Sequence, residues 1–165
     1  MGDWFMNENK GCRELRGELE KTIDKLEEIK RRYEQIKSDA DLMPPGRDYD
    51  LVLLSELFAD FYTCLETGFV RISKFFENNL EKSKWHTQLL EKMTISIPEV
   101  RLRVISDSTC ALLREFLRFR HFKRYYFEFN YERDRIEFLE KRLVELFPLL
   151  KKDLTGFMKF LYEIR

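Results

Sequence analysis

Between Leu15 and Ile36 the apolar side chains fall at Leu15, Leu19, Ile23, Leu26, Ile29, Tyr33 and Ile36, every third or fourth residue without a break. Only a helix of 3.6 residues per turn gathers such a set into one stripe. The spacing therefore predicts one long amphipathic helix over residues 10–38. Its other positions are nearly all charged, with Glu27/Arg31 and Glu28/Arg32 at the i,i+4 separation of helical ion pairs. Such a charge run reads as a solvated face. The same periodicity returns twice. From Tyr49 to Asn79 the stripe is Leu54, Leu57, Phe58, Phe61, Leu65, Phe69, Ile72 and Phe76, widened by Val52, Tyr62, Val70 and Phe75. A helix this apolar is buried on more than one side, as the central member of a bundle or at an oligomer interface as well. From about Tyr131 to the C-terminus the stripe is Ile136, Leu139, Leu143, Leu146, Leu150, Leu154, Phe157, Phe160 and Leu161. Pro148 lies inside that run and is expected to kink the helix or split it by one turn.

The breaks between these stripes are few, because the chain of 165 residues holds only 6 Gly and 4 Pro. A sandwich or barrel needs a turn roughly every ten residues and is disfavoured. Met43-Pro44-Pro45-Gly46 ends the first helix. Lys84–Met93 reads as a short helix carrying Trp85 and His86, and Thr94–Ile105, with Pro98 and its β-branched residues, as an extended connector. Ser106 or Asp107 then caps a further helix running to about Phe129. The expected fold is all-α: one domain over residues 1–165, a four-helix bundle with an additional short helix, with residues 1–9 poorly ordered.

Thirty basic and thirty acidic side chains cancel, so any nucleic-acid role has to come from local charge segregation. Cys12, Cys64 and Cys110 are far apart, odd in number and without CxxC spacing, which excludes a disulfide framework; with only His86 and His121 there is no zinc spacing. Neither a metal nor another cofactor is expected. Met1–Lys10 lacks the apolar core of a signal peptide, and the longest aliphatic run, Leu51–Leu54, is far short of the ~20 residues that span a bilayer. These features suit a cytoplasmic protein with reduced thiols and no membrane attachment.

Charge is segregated in one place. Between Arg101 and Arg124 there are seven basic residues and two acids, Asp107 and Glu115. At 100° per residue Arg114, Arg118, His121 and Tyr125 share an arc of about 60°, flanked by Arg120 and Arg124, while Leu112, Phe116, Phe119 and Phe127 point the opposite way. Metal-free RNA cleavage needs a group that takes the proton of the ribose 2′-OH and a cation for the charge that develops on phosphorus. Histidine titrates near neutrality, and arginine grips phosphate with a planar fork of donors. Tyr125 and Tyr126 can stack on bases or donate to a phosphate oxygen. The bland readings stand beside this one: a lone histidine among arginines is a surface residue more often than a catalyst, and the arginines can pair with acids of their own bundle. His86, next to Trp85, reads as a packing or capping residue.

The stretch Phe119-Arg120-His121-Phe122-Lys123-Arg124-Tyr125-Tyr126-Phe127-Glu128 resembles the motif helix of HepT-like proteins of the HEPN superfamily, written R-N-x3-H-x-Y or, in one variant, FRHxxRHxY. Phe58-Ala59-Asp60-Phe61-Tyr62-Thr63, Trp85-His86-x2-Leu89-Leu90, Ile97-Pro98 and Leu146-Phe147-Pro148 follow the same branch in matching order, over about residues 50–160 of a core assigned to 50–165. The resemblance implies a homodimeric, metal-independent endoribonuclease toxin whose two motif helices face each other across a cleft. It also implies a small, minimal nucleotidyltransferase as antitoxin, which in some systems adenylylates the motif tyrosine. Carried over by position, the motif arginine is Arg120, the polar residue after it is His121, the motif histidine falls at Tyr125 and the motif tyrosine at Phe127. Two of three functional positions thus depart from the pattern. A second register, Arg114-x6-His121, meets the looser R-x4-6-H spacing.

On this reading Arg120, His121 and Tyr125 are the catalytic candidates, and Arg114, Arg118, Arg124 and Tyr126 contact RNA. Two alternatives remain open. One is a non-catalytic HEPN-type bundle that binds a nucleotidyltransferase or RNA; the other is an unrelated helical adaptor.

Overall fold

The computed structural model describes residues 2–42, 49–77, 85–125 and 133–164, with side chains from residue 10 onward and excepting that of Tyr125. Among the described residues are five helices: α1 (Gly2–Ala40), α2 (Tyr49–Phe76), α3 (Trp85–Lys92), α4 (Asp107–Tyr125) and α5 (Arg133–Glu163). Helices α1, α2, α4 and α5 close a ring of neighbours, and α2 touches every other helix. The expected four-helix bundle with an added short helix is what forms, and α2 is its central member.

The stripes bury as their spacing demands. Leu15, Leu19 and Leu26 of α1 are buried, while Ile23, Ile29, Tyr33 and Ile36 pack at its margin. All but the last residue of the expected α2 stripe is buried, yet Val52 and Phe75 remain exposed, so the widened arc is only partly covered. Gly68 lets α1 and α2 approach closely: a Cβ there would lie 3.2 Å from the Thr22 methyl. Helix α1 begins at Gly2 rather than residue 10, since nothing between them breaks a helix; the side chains of residues 1–9 lie outside those described. Of the two expected i,i+4 pairs, Arg32–Glu28 forms at 2.6 Å. Glu27 turns to Lys151 of α5 instead, at 3.3 Å.

Pro148 does not split α5, which runs unbroken from Arg133 to Glu163. An internal proline costs about 3 kcal/mol, but Leu143, Leu146, Leu150 and Leu154 on both sides of it are buried. At roughly 1.5–3 kcal/mol for each buried leucine, keeping the register outweighs the lost hydrogen bond.

The connector between α3 and α4 has its own lock. Ile97 and Arg101 bridge, and the Ile97 carbonyl accepts from the amides of Val100 and Arg101 at 3.0 Å. Glu99 takes the left-handed corner at φ 61°. Arg101 belonged to the basic count read from the sequence; it is instead interior, its side chain 0% exposed. Its guanidinium donates to Glu77, just past α2, and to the carbonyls of Ile95 (2.9 Å), Lys92 (3.1 Å) and Leu102 (3.3 Å). That uses every donor an arginine has, so a buried charge is fully satisfied.

Helix α4 starts where expected. The Ser106 hydroxyl accepts from the Thr109 amide at 3.3 Å, the geometry of an N-cap. Asp153 of α5 accepts from the Ser106 amide (2.8 Å), the Ser106 hydroxyl (2.9 Å) and the Thr109 hydroxyl (2.5 Å). A carboxylate at a helix N-terminus also suits the helix dipole. The expected extension of α4 toward Phe129 and the start of the last helix near Tyr131 lie outside the described residues.

Candidate functional site

Aromatic packing sets the rotation of α4. Phe116 meets Phe58 and Phe61 edge-on, with ring centres 5.7 and 5.3 Å apart, and Phe119 meets Phe58 at 6.0 Å. Such edge-to-face pairs fix orientation as well as bury area. With that face turned inward onto α2, other residues of α4 are left toward α3, which touches both α2 and α4.

Helices α3 and α4 enclose a groove with a cavity volume of about 800 Å³, lined by His86, Thr87, Gln88 and Glu91 from α3 and by Arg114, Leu117, Arg118, Arg120, His121 and Arg124 from α4. Five of the seven residues singled out in the sequence therefore share one open groove. The Tyr125 side chain and the whole of Tyr126 lie outside the described residues, as does Phe127.

Three of the arginines carry intramolecular acids. Arg114 pairs with Glu91 at 3.0 Å and Arg118 with Glu115 at 2.9 Å, and all four of these side chains are at least one-third exposed or nearly so. Pairs of this kind are worth about 0–1 kcal/mol, so neither arginine is tightly held by its carboxylate. Arg120 is different. Its Nη1 donates to Glu66 Oε2 at 2.5 Å, and its guanidinium lies 5.7 Å from the centre of the Tyr62 ring. Glu66 sits on the buried face of α2 and is only 5% exposed. One donor of Arg120 is thereby committed, which orients the fork of a residue that also lines the groove.

Glu66 has a second partner. Its Oε1 lies 2.5 Å from Nδ1 of His86, whose ring is stacked against Trp85 with centres 3.7 Å apart. A buried carboxylate needs partners, and Glu66 has two. An ionised carboxylate only accepts, so in a hydrogen bond with one the hydrogen lies on the ring nitrogen that faces it. His86 is 32% exposed and forms part of the groove wall. Near it the Tyr62 hydroxyl is pushed well above its ordinary range, by burial first and by the Glu66 charge second, partly offset by Arg120. His86 is thus a packing residue, as the sequence suggested, and also a member of the site, which the sequence did not suggest. A signal existed: Glu66 is an acid on the apolar arc of α2, between Tyr62 and Phe69, and an acid there requires a buried partner.

The thiols take no part in the groove. All three are free, Cys12 and Cys110 buried and Cys64 half-buried, and burial raises the pKa of both Cys64 and Cys110. No described helix is long and apolar enough to cross a membrane.

Comparison with known proteins places this arrangement. The family model described as HepT-like protein matches residues 53–161, from the second turn of α2 to the last turn of α5, and leaves α1 outside the matched segment. The span agrees with the stretch on which the sequence resemblance rested. No curated protein and no solved structure matches the chain significantly. The groove, its arginine- and histidine-bearing helix and the bundle around them are those of a chain that belongs to the HepT-like protein family.

Proposed function

We propose that the protein is the toxin of a toxin–antitoxin pair, a metal-independent RNA endonuclease that works as a homodimer. The observation that carries this reading is the gathering of Arg114, Arg118, Arg120, Arg124 and His121 into one open groove on a HepT-like bundle. Arg120, oriented by Glu66, grips the scissile phosphate and stabilises its developing charge. His121, or Tyr125 at the position of the motif histidine, transfers a proton. Arg114, Arg118 and Arg124, with Tyr126 beyond the end of α4, hold the flanking RNA by charge and stacking. A second copy of the chain placing its own α4 opposite completes the cleft. The antitoxin is a minimal nucleotidyltransferase that binds this face.

The test is cleavage of labelled RNA in EDTA. The wild-type protein is expected to cut and Arg120→Ala to lose about 100-fold or more in rate, in line with removal of a group that stabilises transition-state charge. Undiminished cleavage by an Arg120→Ala/His121→Ala double variant would discard the assignment.

A second reading has its own support. The motif histidine and tyrosine positions hold Tyr125 and Phe127, and Arg120 is already tied to a buried acid. These favour a non-catalytic bundle that binds a nucleotidyltransferase or RNA. That protein forms a stable complex with the nucleotidyltransferase and turns over no RNA; toxicity of the chain expressed alone rules it out.

A further inference from the structure

The sequence offers His121 as the histidine of the basic helix, yet the histidine best built for proton abstraction lies on another helix. We propose that His86 of α3, aligned by Glu66 of α2, is the general base of the groove, and that Glu66 acts as a positioning residue which orients His86 and Arg120 together. This rests on the ribonuclease reading above.

Three observations converge. Glu66 is buried and divides its two oxygens, Oε1 to His86 Nδ1 and Oε2 to Arg120 Nη1, both at 2.5 Å. The stack against Trp85 fixes the plane of the imidazole. Finally, the ring belongs to the wall of the groove that Arg120 also lines. A carboxylate behind an imidazole selects the tautomer with a free Nε2 and stabilises the imidazolium once it has taken a proton. Here the same carboxylate holds the phosphate-gripping arginine, so base and clamp share one rigid anchor. Positioning of this kind is where much of enzymatic rate acceleration arises.

The step is a transphosphorylation. His86 Nε2 takes the proton of the ribose 2′-OH, the 2′-oxygen forms a bond to phosphorus, and the bond from phosphorus to the 5′-oxygen breaks. The departing 5′-oxygen takes a proton from His121 in its charged form. The products are a 2′,3′-cyclic phosphate and a 5′-hydroxyl, and the two imidazoles return to their starting states by proton exchange with water. No co-reactant is consumed. In this scheme Tyr125 need not replace the motif histidine, because the base comes from α3.

The experiment compares wild type, His86→Ala and Glu66→Gln, each as the full chain, on total cellular RNA in EDTA. His86→Ala is expected to lose about 100-fold or more in kcat with little change in RNA affinity, and added imidazole is expected to restore part of it, which only a folded groove can show. Glu66→Gln is expected to lower kcat with little change in RNA affinity, since the amide no longer holds both His86 and Arg120 in place. Wild type that cuts while His86→Ala cuts within about threefold of it overturns the role of His86 and leaves the ribonuclease reading intact. Wild type that cuts no cellular RNA overturns both.

Discussion

Arg101 shows what a single side chain can do when every donor it has is used. It ties Glu77 at the end of α2 to three carbonyls of the connector that leads into α4. Removing one member of a buried pair typically costs about 3–5 kcal/mol because the other is left uncompensated. Lys92 also reaches Glu77, at 3.5 Å, and softens that loss. Arg101→Met is therefore expected to lower stability by about 3 kcal/mol in urea denaturation, and Arg101→Lys, with three donors for five, by less. A loss below about 1 kcal/mol for the methionine variant would mean that the connector is held by other contacts. The site has the same character. Arg114, Arg118, Arg120, His121 and Arg124 were legible because one helix carries them and helical spacing alone decides which share a face. Glu66 and His86 were not, because their meeting with Arg120 depends on how three helices sit together, of which only the rotation of α2 against α4 is set by Phe58, Phe61, Phe116 and Phe119. Periodicity identifies a buried acid on an apolar arc but not the partner that neutralises it.

At the scale of the element, helix identity followed from periodicity and helix ends from local chemistry. The Ser106 cap was legible as one of two candidates. Its reinforcement by Asp153, 47 residues away in sequence, was not. Because Asp153 accepts from three donors at the start of α4, it fastens α5 to the helix that carries the arginines. Asp153→Ala leaves those donors to find water in a half-buried place, at a cost of about 1–3 kcal/mol; Asp153→Asn keeps one acceptor and is expected to cost less. Thermal unfolding of the two variants gives the order. Equal melting temperatures for wild type and Asp153→Ala would show that Ser106 caps the helix unaided. Pro148 marks the opposite case, in which local chemistry spoke for a break and the buried leucines around it prevailed. Local rules set a cost; only the packed bundle decides whether it is met.

For the molecule as a whole, the balance of thirty acids against thirty bases hides a consistent bias in how its buried protons are held. Burial raises the pKa of the Cys64 and Cys110 thiols and of the Tyr62 hydroxyl, with the Glu66 charge adding to the last. Between α1 and α5, Tyr33 is raised by burial and by Glu140, and Lys37 is raised chiefly by its hydrogen bond to Glu140, which it meets at 2.9 Å. Each of these groups holds its proton more tightly folded than unfolded. The sign follows directly: below the ordinary values of 9.0 for the thiols, 10.0 for tyrosine and 10.5 for lysine both states are protonated and the stability is fully present. Above them the unfolded chain releases protons that the folded chain keeps, and stability falls as pH rises through the folded values. The bundle is thus expected to lose stability from about pH 9 upward, with each well-buried group contributing a slope of at most about 1.4 kcal/mol per pH unit and the half-exposed Lys37 less, because solvent screens it. Tyr62 is the most deeply buried of the tyrosines involved, so Tyr62→Phe, which keeps the ring and removes the proton, is expected to flatten the decline above about pH 10. Urea midpoints measured from about pH 7 to about pH 11 test this. Parallel curves for wild type and Tyr62→Phe would show that the alkaline loss does not come from the Tyr62 proton.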